Sequence, residues 1–201
     1  FELSTVLLLC KNPDWDERIK KLIQRVLPIQ KEFADLQIEA GADMIGAGDS
    51  AISQIGPMRY ERCCLKATRE RFSHVQKSVP VLYHVCGDNS MIDKEGRDML
   101  KLIAETEASI IDLDYQVDLS MAKEKIGKET CLRGNTNTQI LGSSTYSVST
   151  VIKEIEQTIK AGKPGGRYMY AAGCEWPWEP KNMAIRNLSI AKGLNEALGG
   201  Y

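Results

Sequence analysis

From residue 14 to the C-terminus, long amphipathic segments alternate with short apolar runs. That alternation leaves few folds open. Each run is too short for a helix and suits a buried strand, while each longer segment carries helical periodicity; strands joined through such crossovers lie parallel in one sheet. The pattern predicts helices over residues 14–40, 57–76, 90–105, 119–126, 148–161 and 180–198, and strands over 43–46, 79–85, 109–113, 130–133 and 167–172. In the first helix Ile19, Ile23, Val26 and Leu27 form one stripe, with Pro28 expected to kink it and Gly41 to end it. Gly56-Pro57 opens the second helix at its first turn, Gly162 closes the fifth, and Pro180 starts the last.

Five such βα units in 201 residues, with no low-complexity linker between them, make one continuous domain over 1–201. A closed barrel takes eight strands and typically about 250 residues. The expected fold is therefore a TIM-type (β/α)8 barrel without its N-terminal strands; the strand count equally permits an open doubly wound sheet. The sequence opens on Phe1, as a fragment or a processed product would.

Composition removes several classes of function. With 26 Lys+Arg against 27 Asp+Glu the formal charge is −1, which gives no pull toward nucleic acid or an anionic membrane. The most apolar stretch, residues 6–10, falls far short of the about 20 residues that span a bilayer, and it lacks the basic flank of a signal peptide. Six cysteines without a framework of short spacings fit reduced thiols in the cytoplasm, so clustered cysteines are read as metal ligands.

The clearest strand ends in His84-Val85-Cys86-Gly87. Strand side chains alternate, so Leu82, His84 and Cys86 share one face and both potential ligands point the same way. They stand at the carboxyl end of a parallel strand, where barrels and open α/β sheets place their active sites. Cys174 closes the fifth predicted strand in the same manner. One imidazole and two thiolates make a donor set that suits Zn²⁺, and three protein ligands with a fourth position open is the catalytic arrangement. The competing reading is that His84 and the cysteines are ordinary buried residues.

Asp112 and Asp114 share a face at the end of the third strand and serve either as a fourth ligand or general base, or as caps of the following helix. Asp49 follows the first strand, and Asn135 and Asn137 follow the fourth; each faces the same mouth and could orient a polar substrate, or simply shape a loop. Gly46-x-Gly48 lacks the third glycine of a dinucleotide fingerprint, since Ala51 stands there, and Pro57 interrupts the helix that should follow. Of the neighbours Cys63 and Cys64, one is expected in the core and one partly exposed, and His74 at the surface. Trp176 and Trp178 flank Pro177 just past Cys174 and either wall a flat ligand or pack on the rim.

These residues fall into a known pattern. Tyr83-His84-Val85-Cys86-Gly87, Ile111-Asp112-Leu113-Asp114-Tyr115-Gln116-Val117-Asp118, Arg133-Gly134-Asn135, and Ala172-Gly173-Cys174-Glu175 followed by Pro180-Lys181-Asn182 resemble the uroporphyrinogen decarboxylase superfamily in order and spacing. Ile38-Glu39-Ala40-Gly41-Ala42-Asp43 and Gln54-Ile55-Gly56-Pro57 fit the same pattern, so the resemblance covers nearly the whole chain. Within that superfamily, a His-x-Cys with a distant Cys looks like the zinc-dependent corrinoid methyltransferase branch.

The resemblance implies a TIM-type barrel with zinc on His84, Cys86 and Cys174, and a corrinoid protein as partner, carrying the methyl group on cobalt as methylcobalamin does. The other substrate is either a thiol that accepts the methyl group or an O-, N- or S-methylated small molecule that donates it. It also implies that Asp114 borders the site. From their places at the strand ends, Asp49 is read as the second catalytic carboxylate, and Asp112, Asn135, Asn137 and Trp176 as substrate contacts. Relatives carry a further N-terminal region holding the first barrel strands. An open barrel leaves unpaired edges, so association with a second copy or with such a segment is expected. The segment after Cys174 is slightly shorter than is usual in the family. The alternatives are a metal-free tetrapyrrole decarboxylase, with Asp49 or Asp114 among the pyrrole nitrogens, and an inactive module that binds a corrinoid protein.

Overall fold

A computed structural model describes residues 12–199. The apolar stretch 6–10 lies outside them. The described chain divides between Ile111 and Asp112 into two compact units. Five strands, β1 (Ile45–Asp49), β2 (Val81–Val85), β3 (Ile110–Leu113), β4 (Cys131–Thr136) and β5 (Tyr168–Ala172), form one sheet in that sequential order. The printed registers, β1 on β2 and β4 on β5, are parallel. A doubly wound sheet reverses its strand order at a switch point; this order has no reversal, so the fold is a partial TIM barrel. No helix among the described residues is long and apolar enough to cross a membrane.

In the first unit, α1 (Asp16–Glu39) is a single helix running through Pro28. Its buried positions are Asp16, Leu27 and Ala34, while Val26 is exposed, so the stripe lies slightly to one side of the expected one. Asp16 is almost wholly buried and is neutralised by two guanidinium groups, Arg59 at 3.2 Å and Arg62 at 2.9 Å. A short unpredicted helix, α2 (Ile52–Ile55), precedes the predicted second helix, which is broken into α3 (Pro57–Arg59), a π turn (Tyr60–Leu65) and α4 (Lys66–Val75). The π turn changes the angular step between neighbours, and Cys63 and Cys64 are both half-buried rather than one in and one out. His74 is also half-buried, its Nε2 2.8 Å from an Asp35 carboxylate oxygen, where a free surface position was expected. Phe72 meets Tyr83 edge to face, with ring centroids 5.0 Å apart, in a core shared with Val75, Val81 and Val85.

Two boundaries differ from the sequence reading for identifiable reasons. Strand β1 lies two residues later than predicted and runs through Gly46 and Gly48 to Asp49, because pairing with β2 (Ile45 on Val81 through Asp49 on Val85) overrides the poor strand propensity of glycine. The helix expected over 90–105 is only α5 (Met99–Ala104). Asp93 accepts from the backbone N–H of Glu95 and Arg97 and Gly96 has φ +81°, a turn that holds residues 93–97 out of the helix; Asp98 then caps α5 through Leu100 N–H at 3.0 Å.

In the second unit, α6 (Leu119–Ile126) starts where predicted, because the Asp118 side chain accepts from Met121 N–H at 2.9 Å. An unpredicted short helix, α7 (Thr138–Gly142), precedes α8 (Val148–Gly162), and α9 (Lys181–Leu198) closes the unit. Leu141, Val151, Ile155, Ile159, Ala172 and Ala191 form the core, with Trp176 packed against it. Gly162 is required where α8 meets β5, since a Cβ there would run into the Tyr168 ring.

Candidate functional site

The first unit presents His84 and Cys86 at the end of β2, both half-buried. Burial along β2 alternates, with Val81, Tyr83 and Val85 fully enclosed and Leu82 and His84 between them half-buried. The two ligand candidates are therefore on the face that is not buried under the helices, as the period of two requires. After Cys86 the chain turns at Gly87, φ +85°; a Cβ there would approach Ser53 Oγ to 2.5 Å, so glycine is demanded by both the backbone conformation and the space. The backbone N–H of Cys86 donates to the carbonyl of Asp49 at 3.1 Å, which extends the β1–β2 pairing by one bond into the ligand residue.

Asp49 is the last residue of β1 rather than a loop residue after it. Its register partner is Val85, so it shares the face of Tyr83 and not that of His84. One carboxylate oxygen accepts from Ala51 N–H at 3.1 Å and the other from Tyr83 O–H at 3.3 Å. Burial raises its pKa above the ordinary carboxylate value, and these hydrogen bonds, with the nearby Arg71 charge, offset part of that rise. Tyr60 stands 3.4 Å from the Tyr83 hydroxyl, and burial raises the pKa of both phenols.

The second unit contributes Cys174, just past β5, together with the acidic end of β3. Cys174 is half-buried. Gly173 before it is stitched on both sides, donating its N–H to Thr136 O at 2.8 Å and accepting from Tyr115 N–H at 3.1 Å. Asp112 is buried and paired with Arg133 Nη1 at 2.7 Å. Asp114, also buried, accepts from Gln116 N–H at 3.0 Å and so shapes the turn that follows it. Asn135 lies inside β4, not after it, and its amide donates to the carbonyls of Asp114 at 3.0 Å and Val117 at 2.6 Å, bracing the loop that carries Asp114. Asn137 caps α7 through Gln139 N–H at 2.9 Å, while its own N–H donates to Glu154. Trp176 and Cys174 line a cavity of about 320 Å³ with Arg133, Tyr170, Leu188 and Lys192. Trp178 is exposed. Burial lifts the Tyr170 hydroxyl to about 12, against the lowering effect of the hydrogen bond from Thr136.

Among the described residues, those whose donor types could hold a metal ion are His84 and Cys86 in the first unit, an imidazole and a thiol, and Cys174 in the second, a thiol. Neither thiol is tied in a disulfide. Sequence reasoning assigned no site role to Arg133, paired with Asp112 in the second unit, or to Asn89, whose side chain in the first unit is fully buried beneath the Cys86 turn. The signal for Asn89 was present, as an Asn two positions past a turn glycine.

The profile of the uroporphyrinogen decarboxylase (URO-D) family matches residues 6–189. The chain belongs to the uroporphyrinogen decarboxylase family. Curated family members are distant: uroporphyrinogen decarboxylase of Streptomyces avermitilis is 29% identical over 135 residues, covering 67% of this chain and 36% of that protein. The Geobacter metallireducens enzyme is 24% identical over 176 residues, covering 87% of this chain and 49% of its own length. The chain therefore spans half or less of these relatives. A solved methyltransferase from Methanosarcina mazei superposes with a TM-score of 0.75 at 18% identity, covering 93% of this chain and 52% of that one, and so shares the fold.

Proposed function

We propose that this chain carries the metal-binding part of a zinc-dependent methyltransferase that exchanges a methyl group with a corrinoid protein. The observation that carries the reading is the donor group of His84, Cys86 and Cys174. One imidazole and two thiolates fit zinc in preference to a hard cation, and two thiolates balance its charge while a fourth position stays open to substrate. When bound, zinc in such a set supplies a Lewis acid that acidifies a thiol or polarises the heteroatom of a methylated substrate.

The chain's own residues do the rest. His84 and Cys86 hold the metal from consecutive same-face positions of β2, and Cys174 holds it from the end of β5. Asp114 borders the substrate, and Asn135 keeps the Asp114 loop in place through its two amide bonds. Asp112 with Arg133, Asn137 and Trp176 shape the polar and flat sides of the pocket. The corrinoid partner covers the mouth, since displacement at a methyl carbon needs an in-line approach.

The test uses free methylcobalamin and a small alkyl thiol. The zinc-loaded chain accelerates loss of the methylcobalamin absorbance at least about tenfold over the metal-stripped chain, in keeping with a Lewis-acid contribution of several kcal/mol. An equal rate with and without zinc contradicts the proposal. The names of the curated relatives favour a second reading, decarboxylation of a tetrapyrrole, with Asp49 or Asp114 against the pyrrole nitrogens. That activity on uroporphyrinogen would be indifferent to a chelator.

A further inference from the structure

Asn89 has no exposed surface. Its Nδ2 donates toward three consecutive carbonyls, those of Val85 at 3.3 Å, Cys86 at 3.2 Å and Gly87 at 2.9 Å. Its Oδ1 is buried with no hydrogen-bond partner among the described residues. A buried amide that leaves its acceptor unmatched incurs a desolvation cost, so the bonds made by its donor end have to compensate. Those bonds all fall on Cys86 and its two neighbours. The other side of the Cys86 peptide is tied as well, its N–H donating to Asp49 O, and Gly87 beyond it is confined by Ser53. The direction of the Cys86 Cα–Cβ bond is set by this peptide frame, and Asn89 is the side chain that gathers its carbonyls.

We infer that Asn89 is a positioning residue that fixes the Cys86 thiol for metal binding by holding the Val85, Cys86 and Gly87 carbonyls. This rests on the metal reading above. Groups that orient a metal ligand without touching the metal typically cost about 10–100-fold in affinity when removed. Loss of the Asn89 amide removes one of the restraints on the Cys86 peptide, so the thiol meets the metal at a poorer angle.

The experiment measures zinc affinity by competition with a chromophoric chelator, and the visible spectrum of the cobalt(II)-substituted chain, for the parent, Asn89→Ala and Asn89→Asp. Ser147→Ala serves as the control for general destabilisation, because it removes the α8 cap, where Ser147 Oγ accepts from Thr150 N–H and bonds to the Ser149 and Thr150 hydroxyls. Asn89→Ala and Asn89→Asp, the latter the same size but without the donor, are expected to weaken zinc about 10–100-fold and to alter the thiolate-to-cobalt bands. Ser147→Ala lowers the melting temperature and keeps the parent's affinity and spectrum. Parent-like affinity and spectrum in both Asn89 variants, or equal losses in Ser147→Ala, overturn the positioning role alone. A parent chain that takes up no metal overturns the metal reading and this inference with it.

Discussion

On the proposed zinc site, changing either Cys86 or Cys174 to serine should abolish zinc binding. A serine hydroxyl does not ionise at neutral pH and is a poor donor to zinc, so each variant leaves two good ligands out of three. The expected loss exceeds the about 10–100-fold typical of groups outside the coordination shell. Zinc content by elemental analysis, on protein purified without added metal, should fall from near one per chain to a small fraction in both variants. Because both thiols are only half-buried, the metal-free forms should melt within a few degrees of the metal-free parent, a shift of about 1 kcal/mol or less. Metal retained in full by either variant would remove that cysteine from the site.

Gly173→Ala should strongly destabilise the second unit. An added Cβ would come within 2.7 Å of the Tyr115 Cα and Cβ and still closer to its backbone nitrogen. Neither segment can yield freely, since Gly173 N–H is held by Thr136 O and Gly173 O by Tyr115 N–H. Overpacking of this kind costs about 3 kcal/mol, equivalent to a fall in Tm of roughly 6–12 °C for a chain of this size. Cys174 follows directly, so zinc affinity should drop together with stability. Gly193→Ala makes the useful contrast: a Cβ there meets nothing within 4 Å inside α9, and the change should stabilise by about 0.5–1 kcal/mol. Thermal melts monitored by circular dichroism separate the two, and a Gly173→Ala melt that coincides with the parent's contradicts the packing described.

Much of this fold can be read from local sequence because its strongest elements carry local signals. The alternation in 81–86 places His84 and Cys86 on one face, and the Asp118 cap marks the start of α6 to the residue. The errors arise where tertiary contacts decide. Gly48 falls past the expected strand end at Gly46 and becomes strand because β2 supplies the pairing. Residues 90–98 have helical composition but are claimed by the Asp93 turn. At the site, the three ligand candidates follow from strand ends and donor chemistry. The roles of Asn89 and Asn135 do not, because their partners are backbone carbonyls elsewhere in the fold. Ending the first strand at Gly46 puts Asp49 in a loop at the mouth, whereas its register with Val85 turns it toward Tyr83.

The central claim is a metal held by one imidazole and two thiolates. X-ray absorption at the zinc edge of the metal-loaded chain addresses it without reference to any substrate. The expected result is two sulfur scatterers at about 2.3 Å and at least one nitrogen at about 2.0 Å, with a light-atom ligand from solvent completing four. A first shell without sulfur, or a chain that binds no zinc under reducing conditions, would contradict it.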